Sequence, residues 1–156
     1  MDEKQKLDLI KSEYFQLQDF YEDVDKRALT IKSWDITVSL TAIGAGFLLT
    51  PYLWLASALA TAVFWYLEAF WRNYHFFLAA RIKQIETAMK DDNLKDIIPL
   101  QIYSTWTTTF RDKGSQTLRY LFKPVTLFPH LLIFIIFIGL FVIWYFGIIE
   151  APINVN

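Results

Sequence analysis

The most constraining feature of this 156-residue sequence is the position of its 15 lysine and arginine residues. None lies between Ser33 and Trp71 and none lies between Pro124 and Asn156, and these two windows contain the long apolar runs. Loops that stay in the cytoplasm are rich in Lys and Arg, whereas translocated loops are not. The pattern therefore predicts an integral membrane protein with a cytoplasmic N-terminus. A hairpin would cross outwards and back, a basic middle would stay inside, and a third span would leave the C-terminus external.

The same pattern divides the chain into four segments and predicts an all-α membrane protein. Residues 1–34 are expected to form a cytoplasmic amphipathic helix, 35–70 a short transmembrane helical hairpin, 71–123 a cytoplasmic helical region, and 124–156 a third transmembrane helix with a short external tail. Neither Gly nor Pro occurs from Tyr52 to Lys90, which predicts one helix whose last 20 or so residues leave the membrane. This part would pair with the N-terminal helix and extend the hairpin as an antiparallel stalk. Residues 97–115 show no clear pattern.

Apolar residues in the first segment recur at alternating spacings of three and four. Four heptads of this kind place one apolar stripe along a helix of about residues 3–34. Two interpretations are open at this point. Either the stripe lies on a neighbouring helix of the same chain, or it packs against another subunit. The stripe consists of Leu7, Ile10, Tyr14, Leu17, Tyr21, Val24, Ala28 and Ile31.

Small residues mark both arms of the predicted hairpin. The first arm, residues 36–50, is shorter than the roughly 20 residues that a bilayer core requires. Residues of small size at a spacing of four let helix backbones approach closely in lipid. We therefore expect two such pairs to pack helices together in a homo-oligomer, namely Ala42 with Gly46 and Ala58 with Ala62.

Two carboxylates stand at the inner end of the predicted hairpin. Asp35 precedes Pro51 by 16 residues and Glu68 follows it by 17, so on antiparallel helices of equal rise they reach the same depth. Carboxylates at a membrane boundary are usually paired or hydrated. One expectation is local pairing, of Glu68 with Arg72 and of Asp35 with a lysine. The other is an acidic pore mouth that selects cations.

The sequence offers little for catalysis or metal binding. It contains no cysteine, and its two histidines, His75 and His130, fall in different predicted segments. A metal site needs three or four convergent ligands, and the sequence has no glycine-rich phosphate loop or nucleophile motif. We expect no enzymatic activity, no metal and no cofactor.

Basic residues of the third segment form a second candidate site. Juxtamembrane Lys and Arg commonly attract anionic lipid headgroups and enforce topology. The alternative is an anionic ligand, such as a nucleotide, bound between the predicted stalk and the segment before the third span. The residues concerned are Arg72, Arg81, Lys83, Arg111, Lys113, Arg119 and Lys123.

Landmarks between about residues 20 and 90 resemble a known group of proteins. Ile31-Lys32-Ser33-Trp34 precedes the Gly/Ala-rich hairpin, which is followed by FWYLEAFWR at residues 64–72 and RIKQIE at residues 81–86. This looks like the small bacterial SLATT-type membrane effectors and, among them, the transmembrane effector of Hailong antiphage systems.

The resemblance implies an oligomeric pore-forming effector that depolarises or permeabilises the bacterial inner membrane in antiphage defence. It also implies control by a cytoplasmic nucleotide or oligonucleotide, made by a nucleotidyltransferase partner. The alternative is a non-conducting membrane anchor or scaffold for a cytosolic partner. A channel needs a hydratable face on one span, and five hydroxyl residues provide a modest one: Ser39, Thr41, Thr50, Ser57 and Thr61.

Overall fold

A computed structural model describes residues 2–91 and 93–149, and all regular secondary structure within these ranges is helical. The all-α class predicted from the sequence is confirmed. Two long helices, α1 (Glu3–Leu48) and α2 (Tyr52–Lys90), account for most of the fold. A 3₁₀ turn (Leu94–Asp96) and four shorter helices follow: α3 (Ile102–Lys113), α4 (Thr117–Leu121), α5 (Pro124–Leu127) and α6 (His130–Tyr145).

Helix α1 continues through the boundary that the sequence pattern placed at residue 34, and it ends only at Leu48. Pro51 explains this end, because the residue before a proline is disfavoured in helical geometry. The turn is closed by backbone hydrogen bonds from Leu53 to Thr50 (3.1 Å) and from Trp54 to Pro51 (3.0 Å). Helix α2 then runs over the range predicted from the absence of Gly and Pro.

The third apolar run is divided, whereas the sequence predicted one continuous helix. Phe128 and Pro129 separate α5 from α6, and the bond between them is cis. Among the helices of the described ranges, Tyr52–Lys90 is long and apolar enough to cross a membrane, and a third of its apolar window is buried (33%). His130–Tyr145 is a shorter apolar helix of 16 residues. The predicted external tail, residues 150–156, lies outside the described residues.

The chain forms two compact units. Unit 1 comprises Met1–Arg27 with Trp71–Thr117, and unit 2 comprises Ala28–Phe70 with Leu118–Asn156. The core of unit 1 consists of Ile10, Leu17, Ile82, Ile85 and Ile97. The N-terminal part of the apolar stripe therefore packs on α2 of the same chain. For Ile10 and Leu17, this agrees with the first of the two interpretations, in which the stripe lies on a neighbouring helix of the same chain.

The core of unit 2 joins the hairpin to α6. Trp54 and Ala58 of α2 are buried together with Phe137 of α6, and Ala42 and Ile43 of α1 pack around them. The outer surface of this unit is also apolar on every long element. Exposed large side chains include Leu40, Phe47 and Leu48 on α1, Leu59 and Val63 on α2, and Leu132 and Ile135 on α6.

Candidate functional site

Three ionisable side chains meet in the interior of unit 2, one from each of its long helical segments. Asp35 belongs to α1, Glu68 to α2, and His130 is the first residue of α6. The exposed fraction of each is 1% or less. Lys32, one helical turn before Asp35, lies at the edge of the group with 16% of its side chain exposed. We call these four residues the ionisable cluster.

The imidazole of His130 lies between the two carboxylates. Its Nδ1 atom is 2.6 Å from Oδ2 of Asp35, and its Nε2 atom is 3.0 Å from Oε2 of Glu68. The remaining carboxylate oxygens also face donors. The Thr61 hydroxyl donates to Oδ1 of Asp35 at 2.8 Å, and the Lys32 ammonium lies 3.4 Å from Oε1 of Glu68. Both carboxylates are therefore fully engaged.

Two further polar groups complete the surroundings of the ionisable cluster. The Ser39 hydroxyl lies 3.5 Å from Oδ1 of Asp35. The Lys32 ammonium donates to the backbone carbonyl of Val125 in α5. In contrast, the buried hydroxyl of Thr126 has no hydrogen-bond partner among the described residues.

The local sequence explains why these groups meet. Asp35 and Glu68 are nearly equidistant from the turn at Pro51, so the two antiparallel arms bring them to one level. The break at Pro129 starts α6 at His130. Packing of Phe137 against Trp54 and Ala58 then holds α6 on the hairpin.

The charges of the ionisable cluster balance when all four groups are ionised. An isolated buried charge is very costly, but paired charges with every hydrogen bond made are tolerated. The two ring nitrogens of His130 face different carboxylates. The ring nitrogens and the carboxylate oxygens therefore do not point towards one common position at which a metal ion could bind. The described residues contain no group of three or more His, Asp or Glu side chains that could hold a metal ion. The arrangement is suited to holding a proton between three residues.

Asp35 and Glu68 were also the residues of the predicted acidic pore mouth. Within a single chain their carboxylates face the imidazole and are shielded from solvent. The lysine that reaches the pair, Lys32, contacts Glu68, whereas the sequence pattern assigned a lysine to Asp35. An acidic mouth in an assembly remains a prediction.

The hydroxyl residues of the predicted hydratable face lie in different surroundings, and two of them, Thr50 and Ser57, are half-buried. Ser39 and Thr61 are buried beside Asp35. On the opposite side of α1, Thr41 is exposed and forms a line with exposed Ser33 and Thr37, which the prediction did not include, at a spacing of four. Each of these hydroxyls donates to the backbone carbonyl four residues earlier, at 2.8–3.1 Å. We call these three residues the hydroxyl line.

The small residues predicted to pack subunits have partners within the chain. A Cβ atom at Gly46 would overlap the indole ring of Trp54. Ala42 and Ala58 belong to the core of unit 2, and Ala62 is half-buried. Their role between subunits stays a prediction.

A second buried polar group lies in unit 1, between Arg81 and Glu13. The Arg81 guanidinium donates to both oxygens of the Glu13 carboxylate (2.8 and 3.2 Å) and to the carbonyl of Ile98 (2.8 Å). Glu13 also accepts a hydrogen bond from the backbone of Leu100 at 2.7 Å. Leu100 has a positive φ of 62°, an uncommon conformation for a non-glycine residue. The pair fixes this loop with the side chains of Ile98 and Leu100 exposed.

The remaining basic residues of the predicted anion site occupy varied surroundings. In unit 1, Arg72 contacts Asp25 at 2.6 Å, and exposed Arg111 contacts Asp112 at 3.4 Å. Lys83 lines an open groove of about 460 Å³ together with Asp91 and Asp96.

Two more basic residues of that prediction are exposed. Lys113 lies over the ring of Phe76, 5.3 Å from its centroid. Arg119 belongs to unit 2. The acidic neighbours of Lys83, Arg72 and Arg81 offset much of the positive charge that an anion would require. An anionic ligand remains a prediction.

Sequence reasoning did not assign a role to His130 or Lys32. The sequence does contain one signal for His130, which stands at the start of an apolar run. An ionisable residue beside a predicted span usually has a polar partner. The other histidine, His75, lies in unit 1, where it stacks on Tyr21 with 3.8 Å between ring centroids.

No family model, curated protein or solved structure matches this chain.

Proposed function

We propose that this chain is a three-span protein of the bacterial inner membrane whose copies assemble into an ion-conducting pore. A cytoplasmic signal, such as a nucleotide, would control the pore, and its opening would depolarise the cell. The cytoplasmic N-terminus, the stalk and the external C-terminus belong to this proposal. The setting in antiphage defence and the nucleotidyltransferase partner rest on the resemblance of residues 20–90 alone.

The observation that carries the proposal is an ionisable cluster buried in a unit whose outer surface is apolar. Soluble monomers rarely expose large contiguous apolar patches, whereas unit 2 exposes large apolar side chains on α1, α2 and α6. Ionisable groups inside such a unit are expensive, and in membrane proteins they commonly mark ion paths or proton relays. A lipid environment accounts for the apolar outer surface of unit 2, and a role in conducting ions or protons accounts for its buried ionisable cluster.

The hydroxyl line supplies the hydratable face that a pore requires. Ser33, Thr37 and Thr41 point away from the chain's own core, among exposed apolar neighbours. Because each hydroxyl proton is already donated to a backbone carbonyl, its oxygen is left to accept from water or to contact a cation. Copies arranged with this face inwards would line a polar path.

Reconstitution in liposomes tests the pore directly. The purified chain should dissipate a potassium-driven membrane potential, and the double variant Thr37→Val, Thr41→Val should slow this flux severalfold. Thr108→Val is the matched control, because the exposed Thr108 hydroxyl makes the same backward hydrogen bond in α3 of unit 1. Native mass spectrometry of the same samples should show an oligomer.

The alternative function, a non-conducting membrane anchor, is favoured by one observation in unit 1. The Arg81–Glu13 pair holds a loop that exposes Ile98 and Leu100 beside exposed Tyr103. Such an apolar loop suits contact with a cytosolic protein. Wild-type liposomes that hold their potential at every protein-to-lipid ratio, with and without nucleotides, would overturn the pore and support the anchor.

A further inference from the structure

The hydrogen bonds of the ionisable cluster define how many protons its side chains carry. Asp35 and Glu68 can only accept when they are ionised, and their outer oxygens already face Thr61 and Lys32. Their inner oxygens face the two nitrogens of His130 at 2.6 and 3.0 Å. A neutral imidazole carries one N–H group and can serve only one of them. The observed geometry is complete when the imidazolium donates to both.

The net charge of the cluster leads to the same proton count. Lys32 and an imidazolium at His130 contribute two positive charges, and the two carboxylates contribute two negative charges. Removing one proton takes one positive charge away from two carboxylates that are almost entirely buried. It also sets a nitrogen lone pair against a carboxylate oxygen. Neither change can be relieved by solvent at this depth.

The three residues that meet at the imidazole, Asp35, Glu68 and His130, come from distant parts of the chain. His130 lies 95 residues from Asp35 and 62 residues from Glu68. The other contacts of α6 with the hairpin that define the core of unit 2 are apolar. The cluster is therefore a polar attachment of the first turn of α6 to α1 and α2. The hydroxyl of Thr126 in α5, four residues before His130, has no hydrogen-bond partner among the described residues, so the polar groups at this junction are not all satisfied.

We propose that the ionisable cluster is a binding site for one exchangeable proton, and that this proton fastens the start of α6 to α1 and α2. Loss of the proton at high pH frees the start of α6. The ionisable groups in contact with His130 are Asp35 of α1 and Glu68 of α2. Lys32 of α1 contacts Glu68 and donates to the uncharged backbone carbonyl of Val125 in α5. This inference goes beyond the proposed pore and does not require conduction.

Nuclear magnetic resonance of the histidine side chains tests the proton. The chain has only two histidines, so a ring-labelled sample gives two sets of signals, and His75→Gln identifies those of His130. At neutral pH both ring nitrogens of His130 should carry hydrogens in the full-length protein in lipid nanodiscs. In the variant Asp35→Asn, Glu68→Gln this doubly protonated state should be lost. A single neutral tautomer of His130 in the wild type at neutral pH would overturn the proposal.

Distance measurements between spin labels test the attachment. The chain has no native cysteine, so Leu59→Cys on α2 and Ile135→Cys on α6 introduce two exposed labelling sites. Their distance distribution should broaden at the pH at which His130 loses its proton. A second pair, Leu40→Cys with Leu59→Cys, reports on the hairpin alone and should not change. An unchanged α2–α6 distance through the titration would show a proton site without a fastening role and would overturn that part.

The variant His130→Lys separates charge from titration. A lysine introduces a cation whose ordinary pKa, about 10.4, lies well above that of histidine, about 6.5. The α2–α6 distance of this variant should stay narrow at the pH that loosens the wild type. Should the variant fail to fold, the wild-type measurements decide the question by themselves. These readouts are independent of ion flux, so the pore and the proton site can fail separately.

Discussion

At the scale of single residues, the indole of Trp54 occupies the space into which a side chain at Gly46 would extend. The indole also donates to the carbonyl of Ile43 at 3.3 Å, and its exposed fraction is 1%. Space at Gly46 is therefore occupied by the same chain. A large side chain there, such as Gly46→Leu, would damage the hairpin before it could separate two subunits.

The pair of glycines in α1 offers a matched experiment. Gly46→Ala should lower the free energy of unfolding by about 1–3 kcal/mol, because its Cβ atom would overlap Trp54. Gly44→Ala should raise it by about 0.5–1 kcal/mol, because the position is helical and a Cβ atom there would meet no other atom within 4 Å. Reversible unfolding in detergent, followed by circular dichroism, measures both. Equal effects of the two substitutions would contradict the packing described for Gly46.

At the scale of elements, α3 differs from the two long helices. None of its residues is buried. Its attachment within unit 1 includes Trp106 and Phe110, whose rings lie 5.6 and 5.8 Å from the ring of buried Phe77. Helices with little buried apolar surface open at a low free-energy cost. Residues 97–115 showed no clear pattern in the sequence, and this aromatic contact depends on the packing of α3 with α2.

Hydrogen exchange tests the attachment of α3. Amides of α3 should exchange faster than those around Ile82 and Ile85 in α2, which lie in the core of unit 1. Trp106→Ala should accelerate exchange across α3 severalfold further. Tyr103→Ala should have a smaller effect, since this residue is 76% exposed and its ring stacks on Trp106 at 6.2 Å between centroids. Protection of α3 equal to that of α2 would show that another surface covers it.

At the scale of the whole molecule, the segregation of Lys and Arg predicts how the chain is threaded through a membrane. A reporter fused after Asn156 should be external, and one inserted near Asp92 should be cytoplasmic. Both positions lie outside the described residues. Protease protection or a compartment-sensitive reporter enzyme in bacterial cells makes the measurement. A reporter inserted at the turn near Pro51 should be external and serves as the control for the hairpin.

A cytoplasmic reporter after Asn156 would contradict the third span. It would also change how α6 is placed in the membrane. This helix has 16 residues, which gives a length of about 24 Å at 1.5 Å per residue. The hydrocarbon core of a bilayer is about 30 Å thick. A helix of this length that returned to the same side would have to be embedded without crossing.

The sequence by itself determined the features that depend on neighbouring residues. The helical class, the bounds of α2, and the stripe containing Ile10 and Leu17 follow from periodicity and from the positions of Gly and Pro. The shared level of Asp35 and Glu68 follows from counting residues on either side of Pro51, because helices of equal rise keep such a count. The continuity of α1 could not be predicted from the change in composition near residue 34, since a helix tolerates that change.

Only the tertiary structure decided which distant side chains meet. His130 joins Asp35 and Glu68 because α6 folds back onto Trp54 and Ala58, and no local pattern specifies that return. The Glu13–Arg81 pair joins residues 68 positions apart for the same reason. Buried polar groups must find partners wherever the fold provides them. The periodicity of a sequence indicates on which face of its own helix a side chain lies. Which residue that side chain contacts depends on how the other helices pack.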